Sequence, residues 1–447
     1  MTTTLTPYTL ICGMEVHAEL KTQSKMFCGC QNDPFHAPAP NTYTCPVCLG
    51  MPGGLPVPNA KAIEWTIKLG LALGCQVNLF SHFDRKNYFY PDLPKGYQIS
   101  QYDQPFCVNG KIETPEGPVR IHRIHLEEDT GKLQHKTIHG RKVSLIDFNR
   151  GGVPLIEIVT EPDIHTPSHA KAYTKALRQV LRYLDIADCD MEQGGMRLEA
   201  NISLQRPGET KLPNYKVELK NINSFRFLEK AIAYEIKRHA KLLDAGETPL
   251  QETRGWRDDK GETFSQRTKE SAEDYRYFPD PDIPPLRFTQ EQIESWRSEL
   301  PELPWQRAVR WSKDFGIESK YADILLEEPD AATWTERVFV AAQQAKIPAN
   351  QVANALVNKK VAYTQGDDPG VVVQAVQALS QADTVSEDEL IKAIKSVLST
   401  NPDAVSQYKA GKTQVVGFFL GQVMKSLGKK LDPKEVTRIV STQLHST

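Results

Sequence analysis

Hydrophobic and polar residues alternate along much of the first 293 residues, in short runs broken by Gly, Pro, Asn and Asp. The clearest run covers 9–20, where Leu10, Cys12, Met14, Val16, Ala18 and Leu20 occupy every second position and Glu15, His17 and Glu19 fall between them. A period of two sends alternate side chains to opposite faces, so this run predicts a strand with one core face and one polar face. Further β-like runs occupy 120–127, 143–149, 153–160 and 196–204. One spacing is helical: Thr166-Pro167 reads as an N-cap followed by proline at the first helical position, and Tyr173, Leu177, Val180, Leu181 and Leu184 follow. Together these patterns predict a mixed α+β domain over 1–293.

Pro279, Pro281, Pro284 and Pro285 then interrupt the chain, and the texture beyond them is helical. Ser386 and Glu389 form a capping-box pattern ahead of Leu390, Ile394, Val397 and Leu398. Asp432-Pro433 with Glu435 gives a second start signal before Val436, Ile439 and Val440. The expected organisation is therefore a mixed domain over 1–293, a helical connector over 294–380 and a helical tail over 381–447, with 365–370 as a flexible joint. A chain of 447 residues is long enough for two or three such domains.

Composition narrows the class. Hydrophobic residues make up 40% and charged residues 25%, the range of an ordinary globular protein. No apolar run is long enough to span a bilayer, and the first residues have neither the basic nor the apolar part of a signal peptide, so the expected location is the cytoplasm. The net charge of −2 rules out a globally basic nucleic-acid surface, so any RNA contact must be local. Such a patch exists between Lys409 and Lys434, where six lysines face one acid and Phe418, Phe419, Leu420, Val423 and Met424 are interleaved. It reads either as the solvated face of a helix or as an RNA-backbone surface.

Two groupings carry metal chemistry. Cys28 and Cys30 are followed after fourteen residues by Cys45 and Cys48, and two close thiol pairs suit a tetrahedral structural Zn²⁺ with no open position. Glu15 and His17 share the polar face of the first strand. Glu128 has the strand parity of Ile124 and Leu126, and Glu157 that of Val153, Leu155 and Val159. A carboxylate on an apolar face is costly unless paired, and a hard divalent cation would pair it. These acids therefore suggest Mg²⁺, with His17 leaving Mn²⁺ as an alternative.

A P-loop is missing: Ala410-Gly411-Lys412-Thr413 imitates its end, but Ser406 stands where glycine is required. Any nucleotide must use another cradle. Lys86 and Asn87, Lys95 beside Gly96, and Arg150 before Gly151-Gly152 combine a cation with turn chemistry that exposes backbone N–H groups, although each segment also reads as an ordinary loop.

Several longer motifs resemble those of one family. Gly13-Met14-Glu15-Val16-His17, Asp84-Arg85-Lys86-Asn87-Tyr88-Phe89-Tyr90-Pro91-Asp92, His125-Leu126-Glu127-Glu128-Asp129, Pro154-Leu155-Ile156-Glu157-Ile158 and Asp274-Tyr275-Arg276-Tyr277-Phe278-Pro279 are similar to the B subunits of aspartyl/glutamyl-tRNA amidotransferases, the GatB family. Tyr408-Lys409-Ala410-Gly411-Lys412 and Gly421-Gln422-Val423-Met424-Lys425 resemble that family's tail. The resemblance implies a cradle-like catalytic domain, a helical connector and a YqeY-like helical tail that touches tRNA. It also implies ATP as co-substrate, a divalent ion on Glu15, His17, Glu128 and Glu157, and zinc on the four cysteines. The family's reaction phosphorylates the side-chain carboxylate of Glu-tRNA(Gln) or Asp-tRNA(Asn), and ammonia then displaces phosphate. No Gly-Gly-Ser-Ser amidase signature or Cys–His glutaminase pair is present, so the resemblance implies ammonia from a partner amidase, the A subunit, with a small C subunit completing a heterotrimer. Two departures stand out: the connector is shorter over about 330–385, and Leu198-Glu199 replaces the commoner Cys-Asp, so 196–201 receives no role. The rival classes are a non-catalytic tRNA-binding module and a metal-dependent hydrolase built on Glu15, His17 and Glu128.

Overall fold

The computed structural model describes residues 7–268, 274–380, 385–410, 412–428, 431 and 433–446. They fall into two compact units, Met1–Arg307 and Ala308–Thr447. The first contains β1 (Thr9–Glu19), α1 (Ala60–Ala72), β2 (Gln76–Val77), β3 (Phe80–Ser81), β4 (Asp84–Asn87), β5 (Tyr97–Ser100), β6 (Cys107–Ile112), β7 (Val119–Glu128), β8 (Lys132–Ile138), β9 (Arg141–Asp147) and β10 (Pro154–Thr160). It continues with α2 (Pro167–Tyr183), β11 (Met196–Gln205), β12 (Val217–Ile222), α3 (Phe225–Asp244), β13 (Glu252–Arg257), β14 (Glu262–Thr268), β15 (Phe278–Pro279), β16 (Leu286–Arg287) and α4 (Gln290–Ser298).

Among the described residues a nine-stranded sheet runs β14-β13-β12-β11-β1-β10-β7-β6-β2, antiparallel except between β12 and β13. The alternation in β1 has its predicted consequence: Leu10, Cys12, Met14, Val16 and Ala18 are buried in the main core. Ile156 and Ile158 of β10 and Ile124 and Leu126 of β7 lie on the same face by register. Helices α1, α2 and α3 pack on the sheet, and their apolar stripes belong to this core. Thr166 caps α2 as expected, its hydroxyl accepting from His169 N at 3.0 Å, with Pro167 at the first position. An antiparallel sheet covered by helices on one side leaves its other face for polar chemistry.

The first unit extends past the expected boundary at 293. Ile293 of α4 and Leu303 beyond it are buried in the main core, so the stretch to Arg307 packs with the sheet domain. The 143–149 run forms β9, which pairs with β8 as a separate hairpin outside the main sheet.

The second unit is helical throughout its described residues. It holds α6 (Ser319–Leu325), α7 (Pro329–Gln344), α8 (Ala349–Val357), α9 (Pro369–Ser380), α10 (Glu387–Thr400), α11 (Pro402–Lys409), α12 (Val416–Leu427) and α13 (Pro433–Ser446); α5 (Pro304–Phe315) straddles the division. The expected joint at 365–370 holds a turn that runs into α9 at Pro369. Trp334 Nε1 donates to Asp367 O at 2.9 Å, the Trp334 ring stacks on Tyr363, and Asp367 accepts from Thr364 N. In the tail, Ser386 accepts from Glu389 N to start α10, and Leu390, Ile394, Phe419, Val423, Val436 and Val440 close a small core. Gly411, Lys429, Lys430 and Asp432 of the tail motifs and lysine patch lie outside the described residues.

Candidate active site

The polar face of the sheet carries a row of side chains set by register. His17 of β1 stands opposite Glu157 of β10, and Glu157 stands opposite His125 of β7. His17 Nε2 is 3.4 Å from Glu157 Oε2, 3.6 Å from Glu127 Oε1 and 3.8 Å from Glu15 Oε1. On the far side His125 Nε2 lies 3.3 Å from Glu157 Oε2. Glu127, Glu157 and His125 are buried, while the His17 side chain keeps 13% exposure.

Charge shapes this cluster. Burial alone would lower the His17 imidazole, but Glu157 beside it, with Glu127 and Glu199, pushes it up to about 9. Burial and the like charges of Glu157 and Glu199 push Glu15 up to about 7. Burial opposes ionisation of Glu157, yet His125 and His17 hold its carboxyl well below the usual range. Ligand atoms of His17, Glu127 and Glu157 lie within 4.8 Å of one another, as do those of Glu15, His17 and Glu199. The Nδ1 atoms of His17 and His125 are buried without a hydrogen-bond partner among the described residues. Crowded buried carboxylates fit a divalent cation, whose charge would compensate their crowding, and His17 would join them as a ligand on giving up its proton.

The structure brings Glu15, His17 and Glu157 together, and it does not bring Glu128 to them. Glu128 has the parity of Ile124 and Leu126. Its Oε1 forms an ion pair with Lys95 Nζ at 2.6 Å and accepts from Ile99 N at 3.0 Å. Its neighbour Glu127 has the parity of His125 and stands beside His17. Glu127, His125 and Glu199 are the cluster members that sequence reasoning missed. Glu199 faces Glu15 across the β1–β11 ladder and pairs with Lys220 at 2.7 Å, although its segment departs from the family pattern. The polar alternation Arg123, His125, Glu127 was the available signal.

Of the expected nucleotide cradle, three residues have protein partners. Lys95 is on Glu128. Asn87 Nδ2 donates to Arg276 O at 2.8 Å, tying the 275–279 segment to β4. Arg150 donates to Thr130 O and Gly131 O and approaches Asp129 Oδ2 at 3.7 Å. Asp129 also pairs with Arg197 at 2.7 Å. Burial raises it, but Arg197 and Arg150 hold it at about 2, while burial and Asp129 push the neighbouring Glu19 carboxyl well up. Among the described residues Lys86 has aromatic rings rather than a carboxylate at its ammonium, with the Tyr275 centroid 4.8 Å away.

The four cysteines converge. The Sγ atoms of Cys28, Cys30, Cys45 and Cys48 lie within 4.8 Å of one another, all as free thiols. Cys48 accepts from Cys45 N at 3.1 Å; the Cys28 hydrogen bond and the nearby Lys25 are among the causes that lower its thiol to about 5. Lys25 is buried and ties the loop to the sheet domain through Tyr43 O and Phe148 O. Four clustered sulfurs, one already favoured as thiolate, fit a tetrahedral Zn²⁺. Just beyond them Gly50 has φ +65°, and a Cβ there would meet Lys95 Cγ at 2.5 Å, so the end of the loop fits closely against the Lys95–Glu128 pair.

A model described as the GatB/GatE catalytic domain matches residues 10–294, and one described as a GatB domain matches 327–444. The aspartyl/glutamyl-tRNA(Asn/Gln) amidotransferase B subunit of Thermomicrobium roseum is 44% identical, with 97% of this chain and 98% of that protein covered. The proteins of the same name from Persephonella marina and Thermodesulfovibrio yellowstonii are 44% and 43% identical, each with 97% of this chain and 99% and 98% of their own covered. No helix among the described residues is long and apolar enough to cross a membrane.

Proposed function

The chain belongs to the GatB family of amidotransferase B subunits, and from that premise we propose that it activates misacylated Glu-tRNA(Gln) or Asp-tRNA(Asn) with ATP for conversion to Gln-tRNA or Asn-tRNA. The observation that carries the reading is the row His17–Glu157–His125 with Glu15 and Glu127, an acidic floor on the polar face of the sheet. Its chemistry is phosphoryl transfer from ATP to the side-chain carboxylate, releasing ADP, after which ammonia attacks the acyl phosphate and inorganic phosphate leaves. A divalent ion bound there would neutralise phosphate charge and align donor and acceptor oxygens. Magnesium suits carboxylate oxygens best, and Glu15, His17, Glu127 and Glu157 are the residues that would hold it.

The acceptor is already a carboxylate, so the first step needs no strong general base. His17 and His125 flank Glu157 and keep its carboxyl ionised for cation binding. Lys86, which among the described residues has rings rather than a carboxylate at its ammonium, is the cation that would meet phosphate. The four cysteines would hold Zn²⁺ as a structural staple. Ammonia is supplied by a partner amidase, the A subunit, with a small C subunit completing a cytoplasmic heterotrimer.

Reconstitution with an amidase partner and both misacylated tRNAs tests the reading. Glu157→Gln keeps the side-chain shape while removing one negative charge, and it should abolish tRNA-dependent ATP cleavage while tRNA still binds. Full amide formation by this variant at limiting Mg²⁺ would overturn the assignment, and ATP-independent release of free amino acid would point to a hydrolase.

A further inference from the structure

A wall of tyrosines borders the carboxylate row. Tyr102 lies flat on Tyr277, with ring centroids 4.4 Å apart and an interplanar angle of 14°. Tyr275 meets Tyr277 edge-on at 6.1 Å and Tyr88 at 6.0 Å, and Lys86 Nζ stands over the Tyr275 ring. The wall joins two segments far apart in sequence. Asn87 N donates to Tyr275 O at 2.9 Å, and Phe278 and Pro279 pair with Arg85 and Asp84. Between the rings Arg276 holds φ +46°, a conformation that costs free energy in a residue with a side chain and that the Asn87 bonds sustain.

These rings are not core. Tyr102 is 59% exposed, and none of the four tyrosines belongs to the buried cluster. Tyr88 nevertheless reaches the strand that carries Glu127: its hydroxyl donates to Gln98 Oε1 at 3.4 Å, and Gln98 Nε2 donates to Glu128 O at 2.7 Å. Burial, then the charges of Glu127 and Glu157, raise Tyr277, and burial followed by Glu127 raises Tyr88. The wall therefore runs from the exposed Tyr102 to Tyr88, which is tied through Gln98 to β7. An exposed tyrosine stacked on a half-buried one, with a lysine that has no carboxylate partner among the described residues, forms the combination that holds an unpaired nucleotide, the ring taking the base and the cation the phosphate.

We infer that Tyr102, stacked on Tyr277, takes the adenine of an adenosine nucleotide, and that this is the terminal adenosine of the aminoacylated tRNA end, with Lys86 on its phosphate. The inference rests on the proposed function, which brings two adenosines to this floor, that of ATP and that at the tRNA 3′ end. A base on the wall would hang the aminoacyl ester over Glu127 and Glu157, where its carboxylate must meet the phosphoryl donor.

The test is direct binding to the complete chain, using the single-stranded RNA ACCA and, separately, ATP with Mg²⁺. Tyr102 is exposed, so Tyr102→Ala should fold normally and should bind ACCA about tenfold more weakly, the range of one lost base stack. Tyr102→Phe should retain binding. An ACCA whose last nucleotide is abasic should show the same loss in the unaltered protein and no further loss with Tyr102→Ala, because the two changes remove one contact. Lys86→Gln should weaken ACCA binding and flatten its salt dependence. A loss confined to ATP would overturn the tRNA assignment and give the wall to the co-substrate. Unchanged affinity for both ligands would overturn the adenosine site altogether. Because binding is read without turnover, failure of phosphoryl transfer in Glu157→Gln bears on the proposed function alone.

Discussion

Glu157 stands directly opposite His17 in the β1–β10 ladder, and its carboxylate approaches the imidazole Nε2 to 3.4 Å. The next strand places His125 opposite the same carboxylate. One buried acid thus sits between two imidazoles, His17 and His125, more than a hundred residues apart in sequence, and each prediction about the candidate site follows from that row.

Glu127 and Glu128 are adjacent in sequence and should behave differently. Glu127→Gln removes a carboxylate from beside His17 and should weaken Mn²⁺ binding, measured by electron paramagnetic resonance, about tenfold or more. Glu128→Gln breaks the ion pair with Lys95 and should leave Mn²⁺ affinity within about twofold. Losing a direct ligand costs a cation more than losing a neighbouring pair. Equal losses in the two variants would show that the strand faces do not separate these residues.

Freshly purified protein should contain close to one zinc per chain by elemental analysis. Cys45→Ser, or treatment with a strong chelator, should raise hydrogen exchange through the 28–48 loop and lower the Tm, with a smaller effect on ATP cleavage than Glu157→Gln. Zinc-free protein with full stability would remove the staple.

Stability should fall in acid through a buried group far from the centre. Glu235 of α3 is fully buried, with Arg238 at 2.8 Å, His239 at 2.9 Å and Arg254 at 3.2 Å, while Thr263 donates to it and Glu252 lies beyond Arg238 and Arg254. Burial opposes its ionisation, but His239 and Arg238 hold it at about 2, against an ordinary value of 4.5. The folded-state value is depressed, so the stabilisation is fully present above pH 4.5 and is lost as pH falls towards 2. The shift corresponds to about 3 kcal/mol. Urea midpoints measured from pH 6 to pH 2.5 should drop more steeply for the unaltered protein than for Glu235→Gln, and parallel curves would show that another group controls acid unfolding.

Deleting 386–447 should leave the first unit folded, because Met1–Arg307 has its own core and the tail closes a separate one. The deletion removes the lysine patch, including Lys409, Lys412 and Lys425, so tRNA should bind more weakly and with a shallower salt dependence. Unchanged affinity at physiological salt would return those lysines to the role of a solvated surface.

The sequence by itself determined several parts of this protein. Strict alternation in β1 fixed which face is core, because a side-chain period of two leaves no other arrangement. Thr166-Pro167 fixed the start of α2 because capping is local, and two close thiol pairs announced a shared site. Tertiary structure decided what depended on neighbouring strands. Glu157 has apolar residues on both sides in sequence, since β10 is a central strand with Leu155, Ile156 and Ile158 all buried, so its parity alone could not say which face it joins. Glu128 shares parity with Ile124 and Leu126, and that same parity turns it from His17 and gives the place to Glu127. The reason is physical: alternation sets the two faces of one strand, but only the pairing of β1 with β10 and of β10 with β7 sets which residues of different strands stand side by side, and those partners are chosen by the packing of the whole domain.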